Sequence, residues 1–407
     1  MAEQYSQDSS NCPACGGTLG DVFYETGRVP VHSCILLATA EQALNFPKDE
    51  VRLAPCLSCG FVTNVNFDPK LSAYSPDYED QQSFSPTFSS FAGTMAKSLV
   101  ERHQLHGKRV VEVGCSKGDF LVLLAELGDM QTTGIDPSAI PGRVAQPSRG
   151  SLELIADYYA DEHTEIPADL ICHRHTLEHI HDISTHLSLL HRHASKTEGS
   201  VVFIEVPCAL RVFRDLTFED IYYEHTSYFT PGSLASALRH AGFGVLRIWH
   251  DYDGQYLLAE ASADPGKDNT HEIEESTRDT LAIIERFQQN IAEEIDYWRR
   301  EMRRPVGAIP KTAIWGSGSK CIAFLHATES ADCVGAIIDI NPYRSNRFIP
   351  GVATPVSHMK DLENIKPKRV VVMNGIYAKE IASACASSGI NPEYLVLGEH
   401  QPELSEL

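Results

Sequence analysis

Apolar positions fall into a few short continuous runs separated by helical patterns. Arg109-Val-Val-Glu-Val-Gly114 is a run of buried-strand type, followed by a glycine turn and the apolar segment Asp119-Phe-Leu-Val-Leu-Leu-Ala-Glu-Leu127. TTGIDP (132–137), ADLICH (168–173) and VVFIEVP (201–207) repeat the short apolar run. Strands alternating with helices predict βαβ units around a mostly parallel sheet, here extending to about residue 265. A helix is expected near 91–106, after an irregular aromatic stretch over 71–90. The linker SADPGKDN leads into 270–304, where Ile, Leu and Phe recur at helical spacing among charges; this predicts one long amphipathic helix or two. Then TAIWGSGSK, AIIDIN, RVVVMNG and EYLVLG predict a second, smaller parallel sheet. Residues 12 to about 70 carry Cys, Gly and Pro and no long helical pattern. The organisation expected is a small module over 1–70, an α/β domain over 71–265, linking helices over 266–304, and a C-terminal α/β domain over 305–407.

Charge narrows the partners. The chain of 407 residues carries 34 Lys and Arg against 55 Asp and Glu, a net charge of −21. An acidic surface disfavours nucleic acid and anionic lipid, both of which need clustered cations. No apolar run is long enough to span a bilayer, and the first residues lack the basic and apolar regions of a secretory signal. A cytoplasmic protein, monomeric or a small homo-oligomer, acting on a small molecule without nucleic acid or membrane, is the expectation.

Eleven cysteines are scattered except for two pairs, Cys12-Pro-Ala-Cys15 and Cys56-Leu-Ser-Cys59, each followed by glycine. Two such knuckles in one module predict a structural Zn²⁺ held by four thiolates, with no open position for catalysis. His32 and Cys34 are weaker ligand candidates, and four reduced core cysteines are the alternative.

The turn after Arg109–Val113 has glycines at 114 and 118, a GxxxG spacing unlike the dinucleotide fingerprint. An acid (Glu112) precedes the turn and Asp136 ends the next strand, where a carboxylate accepts ribose hydroxyls. This resembles the first motif of class I S-adenosylmethionine (SAM) methyltransferases, with Glu112, Gly114, Cys115, Gly118 and Asp136 as cofactor residues. A sulfonium cofactor needs no phosphate cradle. His175-Thr-Leu-Glu178-His179 resembles the segment lining the SAM site after the fourth strand, which adds His175 and Glu178; a metal site from His175 and His179, four apart on a helix face, is a rival reading.

With these pieces the chain resembles the sugar C-methyltransferases, which methylate C3 of nucleotide-linked 4-keto-deoxysugars. The resemblance runs over nearly the whole chain and is most specific at Tyr222-Tyr-Glu224-His225-Thr-Ser-Tyr-Phe229. It implies a zinc-binding module, a class I SAM-methyltransferase Rossmann-like domain and a C-terminal Rossmann-like domain. It also implies that Tyr222, Glu224 and His225 surround the substrate carbon. His225 is the expected general base for removing a proton next to a ketone, and Tyr222 the expected donor to the enolate oxygen. Tyr78 is expected to close over the substrate, with Tyr74 competing. Gly316, Gly318, Ser319 and Lys320, at a helix N-terminus, and Asn341 beyond the next strand, are candidates for a nucleotide-sugar diphosphate; Asp339 leaves a nicotinamide site as a rival. Other readings are an O- or N-methyltransferase on another small metabolite, and a non-catalytic nucleotide-binding protein.

Overall fold

The computed structural model describes residues 11–306 and 312–398; the polar N-terminal stretch and the last residues of the expected C-terminal domain lie outside them. The strand Arg109–Val113 lies inside a seven-stranded sheet, next to its central strand Leu170–Arg174. The order across it is Gly244–Asp251, Tyr256–Ser262, Val201–Pro207, Leu170–Arg174, Arg109–Val113, Gln131–Ile135, Ser151–Ile155. All neighbours pair parallel except Tyr256–Ser262, which runs antiparallel to both its neighbours. The central strands are covered on both faces, which is why they read as unbroken apolar runs. Their C-terminal ends open together beside Gly114 and Asp136, the end of a doubly wound sheet where ligands bind.

A second sheet has five parallel strands in the order Val356–His358, Val334–Asp339, Thr312–Trp315, Arg369–Val372, Glu393–Val396. The two α/β sheets and the methyltransferase-like strand order agree with the fold class expected from sequence. The expected helix near 91–106 is Pro86–His103. Ser85 caps its first turn, Pro86 fits the first helical position, and Gln104 ends it in a left-handed conformation.

The Cys-rich segment does not stand apart. Its strands Tyr24–Glu25, Arg52–Pro55 and Val62–Asn64 form a sheet whose fourth strand is Ser227–Tyr228, from the YYEHTSYF motif. Val62 pairs with Tyr228, and Thr63 donates through Oγ1 to the Thr226 carbonyl at 3.0 Å. This sheet crosses the boundary expected near residue 70.

Residues 270–304 contain one long helix, Thr277–Arg303, opened by a Ser276/Asp279 capping box. Thr280, Ile284, Phe287, Ile291, Trp298 and Met302 bury one face of it. Phe287 is fully buried, with the rings of Phe23, Tyr24 and Phe213 at 6.0, 5.4 and 5.4 Å. It therefore joins the N-terminal sheet and the Ala209–Arg214 helix to the long helix. Among the described residues no helix is long and apolar enough to cross a membrane. Phe287→Ala should cost about 3–5 kcal/mol, read as a lowered urea midpoint.

Candidate active site

Both glycine turns face one cavity of about 420 Å³. On one side lie Glu112, Gly114, Cys115 and Ser116; on the other, Gly316, Gly318, Ser319, Lys320 and Asn341. Tyr78, His175, Glu178, His179, Tyr222 and His225 line the space between them. The candidate cofactor and substrate residues thus come mainly to one place from positions as far apart in the chain as Glu112 and Asn341.

Gly114 has φ +73°, and a Cβ there would come within 2.0 Å of Thr176 Oγ1, so the turn admits only glycine. Glu112 is 2% exposed, and burial pushes it up to about 7 against the pull of Arg174. Arg174 and Glu205 form a buried pair at 2.7 Å, and His175 Nε2 lies 2.9 Å from the other Glu205 oxygen. Burial lowers His175, but Glu205 and Glu178 outweigh it and push it up to about 9. Glu112 Oε2 and Glu178 Oε2 are buried without a hydrogen-bond partner. Orphaned carboxylate oxygens at this strand end match a ligand carrying sulfonium and ammonium charge.

His225 Nε2 and Tyr222 Oη are 2.5 Å apart. Burial, and then the neighbouring His179, His175 and Lys320, hold the His225 imidazole well below its usual range, so it is neutral at pH 7. Burial, with Asp220 and Glu178 nearby, holds the Tyr222 phenol well above its usual range. The pair is a neutral acceptor facing a neutral donor. Lys320 is paired with Asp220.

Several candidates lie elsewhere than the sequence places them. Glu224 does not line the cavity. Its carboxylate accepts from His32 Nδ1 at 2.8 Å and the Ser33 N–H at 2.7 Å, and from the Ser33 hydroxyl. His32 is thereby removed from the metal candidates. Asp136 and Gly118 also stay outside the lining. Asp136 accepts the N–H groups of Ser116 and Ser138 at 2.8 and 2.6 Å, and Gly118, at φ +92°, caps the helix Asp119–Gly128. His175 and His179 share no helix face. His175 adopts φ +47°, and Leu177–His179 is a single 3₁₀ turn.

Tyr78 lines the cavity, whereas Tyr74 stands behind it with Oη 2.9 Å from His179 Nδ1. Cys12, Cys15, Cys56 and Cys59 bring their sulfurs within 4.8 Å of one another, away from the cavity. Cys34 is buried beside Ser319 in the cavity wall instead. Glu178, His179 and His225 also offer ligand atoms within 4.8 Å of one another.

The sequence reading missed Asp80, Lys117, Arg174 and Arg344. Lys117 is fully buried and donates to the Tyr78 and Ser138 carbonyls at 2.9 and 2.6 Å. Arg344 donates to the Ser317 and Glu79 carbonyls. Only its place within the first glycine turn pointed to Lys117, and its partners are far off in sequence.

The chain is similar to several known proteins. Residues 90–248 match the family model described as "Methyltransferase domain", and residues 259–390 match "C-methyltransferase C-terminal domain". C-methyltransferase NovU of Streptomyces niveus is 29% identical over 299 residues, covering 68% of each chain. Among solved structures, the magnesium protoporphyrin IX methyltransferase ChlM of Synechocystis PCC 6803 with bound S-adenosylhomocysteine aligns with TM-score 0.32 and 14% identity, over 43% of this chain and 82% of that one. The 1,6-didemethyltoxoflavin-N1-methyltransferase of Burkholderia thailandensis aligns with TM-score 0.30 and 18% identity, over 42% and 77%. A methyltransferase-domain match followed along the sequence by a C-methyltransferase C-terminal-domain match, together with a C-methyltransferase relative, supports a SAM-dependent C-methyltransferase family for this chain.

Proposed function

We propose that this enzyme methylates a carbon next to a ketone, in a nucleotide-linked deoxysugar, through an enolate formed with His225 as base. The observation that carries the reading is the single cavity shared by the two glycine turns, with the Tyr222–His225 pair between them.

Glu112, Gly114, Cys115, His175 and Glu178 are the residues to hold SAM, which supplies an electrophilic methyl group when bound. The Ser319–Ala327 helix presents its N-terminus to the cavity with Lys320 beside it, a setting for a diphosphate. In the free enzyme the His225 Nε2 lone pair faces Tyr222 Oη. When the substrate enters, the Tyr222 O–H turns to the ketone oxygen and Nε2 is freed. The carbon–hydrogen bond breaks, its proton goes to Nε2, and the electron pair is held as an enolate to which Tyr222 donates. Tyr78 covers the substrate from the 71–85 segment.

The same reading assigns a structural Zn²⁺ to Cys12, Cys15, Cys56 and Cys59. The Cys12–Cys59 and Cys15–Cys56 sulfurs are 3.9 and 3.6 Å apart. Corners of a tetrahedron with Zn–S of about 2.3 Å are about 3.8 Å apart. The N–H groups of Ala14, Gly17 and Ser58 each point at a sulfur at 3.4 Å. Such contacts stabilise thiolates.

Three outcomes test this. His225→Asn should lower turnover by about 10²–10⁴-fold while calorimetry with S-adenosylhomocysteine still shows binding, and the wild-type product should carry its new methyl on carbon by ¹³C NMR. Retained turnover, or a methyl on oxygen or nitrogen, contradicts the mechanism. Because His225 titrates well below its usual value, its imidazole should stay neutral from pH 8 down to 5.5 in ¹⁵N NMR spectra, while His175 stays charged up to about 9. Metal analysis should find one zinc per chain, lost in Cys56→Ser; two ions per chain would instead bring in the Glu178–His179–His225 group.

A further inference from the structure

Among the described residues, two groups bring three or more ligand atoms within 4.8 Å of one another. One is the four-cysteine cluster. The other, Glu178, His179 and His225, lies in the cavity wall. Glu178 and His179 come from the single 3₁₀ turn Leu177–His179, and His225 from the YYEHTSYF motif. The Thr226 N–H donates to the Glu178 carbonyl at 2.9 Å, which ties the two segments together beside the three side chains.

Each member keeps a ligand atom available. Glu178 is 2% exposed, and its Oε2 has no hydrogen-bond partner. His179 Nδ1 lies 3.0 Å from the Glu224 carbonyl, an oxygen that only accepts, so the imidazole proton sits on Nδ1. The lone pair is then on Nε2. A backbone carbonyl behind the ring is the support that metal-ligating imidazoles commonly have. His225 Nε2 meets the Tyr222 hydroxyl, a group that can turn aside. Two imidazoles and one carboxylate suit a transition-metal dication such as Zn²⁺ or Co²⁺ better than Mg²⁺.

We propose that Glu178, His179 and His225 form a second site, for a divalent transition-metal ion, and that an ion bound there inhibits the enzyme by taking the His225 lone pair. The inhibition rests on the reading of His225 as the base; the binding does not. The ion displaces the Tyr222 hydroxyl from Nε2, and no proton can then pass from carbon to that nitrogen. Glu178 is also a candidate for SAM, so ion and cofactor compete for one carboxylate. With three ligands and no thiolate, this site holds its ion less tightly than the four cysteines, and dialysis empties it while they keep theirs.

Co²⁺ is the probe, because its spectrum separates thiolate ligands from imidazole and carboxylate. Zinc-loaded protein should take up one equivalent of Co²⁺ with weak d–d bands and no sulfur charge-transfer band. Glu178→Gln and His179→Ala should each weaken that uptake by at least about 10–100-fold, the loss typical of outer partners alone. At limiting SAM, saturating Co²⁺ should lower wild-type turnover of a nucleotide-linked 4-keto-deoxysugar by about 10²–10⁴-fold, and dialysis should restore it. No second equivalent, unchanged uptake in both variants, or bound Co²⁺ with undiminished turnover would overturn the proposal. Should the variants fail to fold, anomalous diffraction from wild-type crystals soaked in Co²⁺ decides: a peak bonded to Glu178, His179 and His225 supports it, and peaks only at other residues overturn it. Turnover retained in His225→Asn would remove the base reading, an outcome distinct from a failure of Co²⁺ to bind.

Discussion

One buried carboxylate holds the three parts of the chain around the cavity. Glu224 is 1% exposed and gives both oxygens to the His32–Ser33 loop. Ser33 Oγ, whose hydrogen goes to Glu224, also lies 2.9 Å from Ser319 Oγ, at the head of the C-terminal helix, and accepts from that hydroxyl. The residue before His225 therefore points away from the substrate and docks the Cys-rich segment and the second α/β sheet against the motif. Burial alone would raise Glu224, but the His32 contact outweighs it and holds the carboxyl below its usual range. A buried ion of this kind is costly to leave unpaired, so the His32 loop and the motif must fold together. Its neighbour His225 is then aimed into the cavity by a backbone already fixed on both sides.

The same arrangement ties the Cys-rich segment to the motif that lines the cavity. Its sheet accepts Ser227–Tyr228 as a fourth strand, and Phe61 meets Phe229 at 5.1 Å between ring centres. Gly60, in the second knuckle, packs against Thr280 of the long helix. On the opposite side, Arg344 and Asn341 hold the Glu79 region against the C-terminal turn, so the segment over the cavity is anchored to both α/β sheets.

Much of the fold was legible in the sequence. Strands buried on both faces, such as Val201–Pro207, leave continuous apolar runs, and the glycine turns mark their ends. Ser151–Ile155 was missed because it lies at a sheet edge with alternate residues exposed. The Gly244–Asp251 and Tyr256–Ser262 pair was missed because polar residues interrupt it and a bulge falls between Val245 and Arg247. At the site, motifs gave the residue types but not their directions. Glu224 and His225 are adjacent, yet one faces the N-terminal loop and the other the cavity. Asp136 ends its strand as expected, and each of its oxygens also accepts a backbone N–H, from Ser116 and Ser138. Asp80 had no motif at all, since its partner Ser116 lies 36 residues away.

The central claim is that a carbon acid is deprotonated between the two turns, and solvent exchange tests it without methyl transfer. In D₂O, with S-adenosylhomocysteine in place of SAM, a nucleotide-linked 4-keto-deoxysugar should lose its ¹H signal at the carbon beside the ketone, and His225→Asn should stop the loss. Exchange that is absent in the wild type, or equally fast in the variant, would contradict enolate formation by this imidazole.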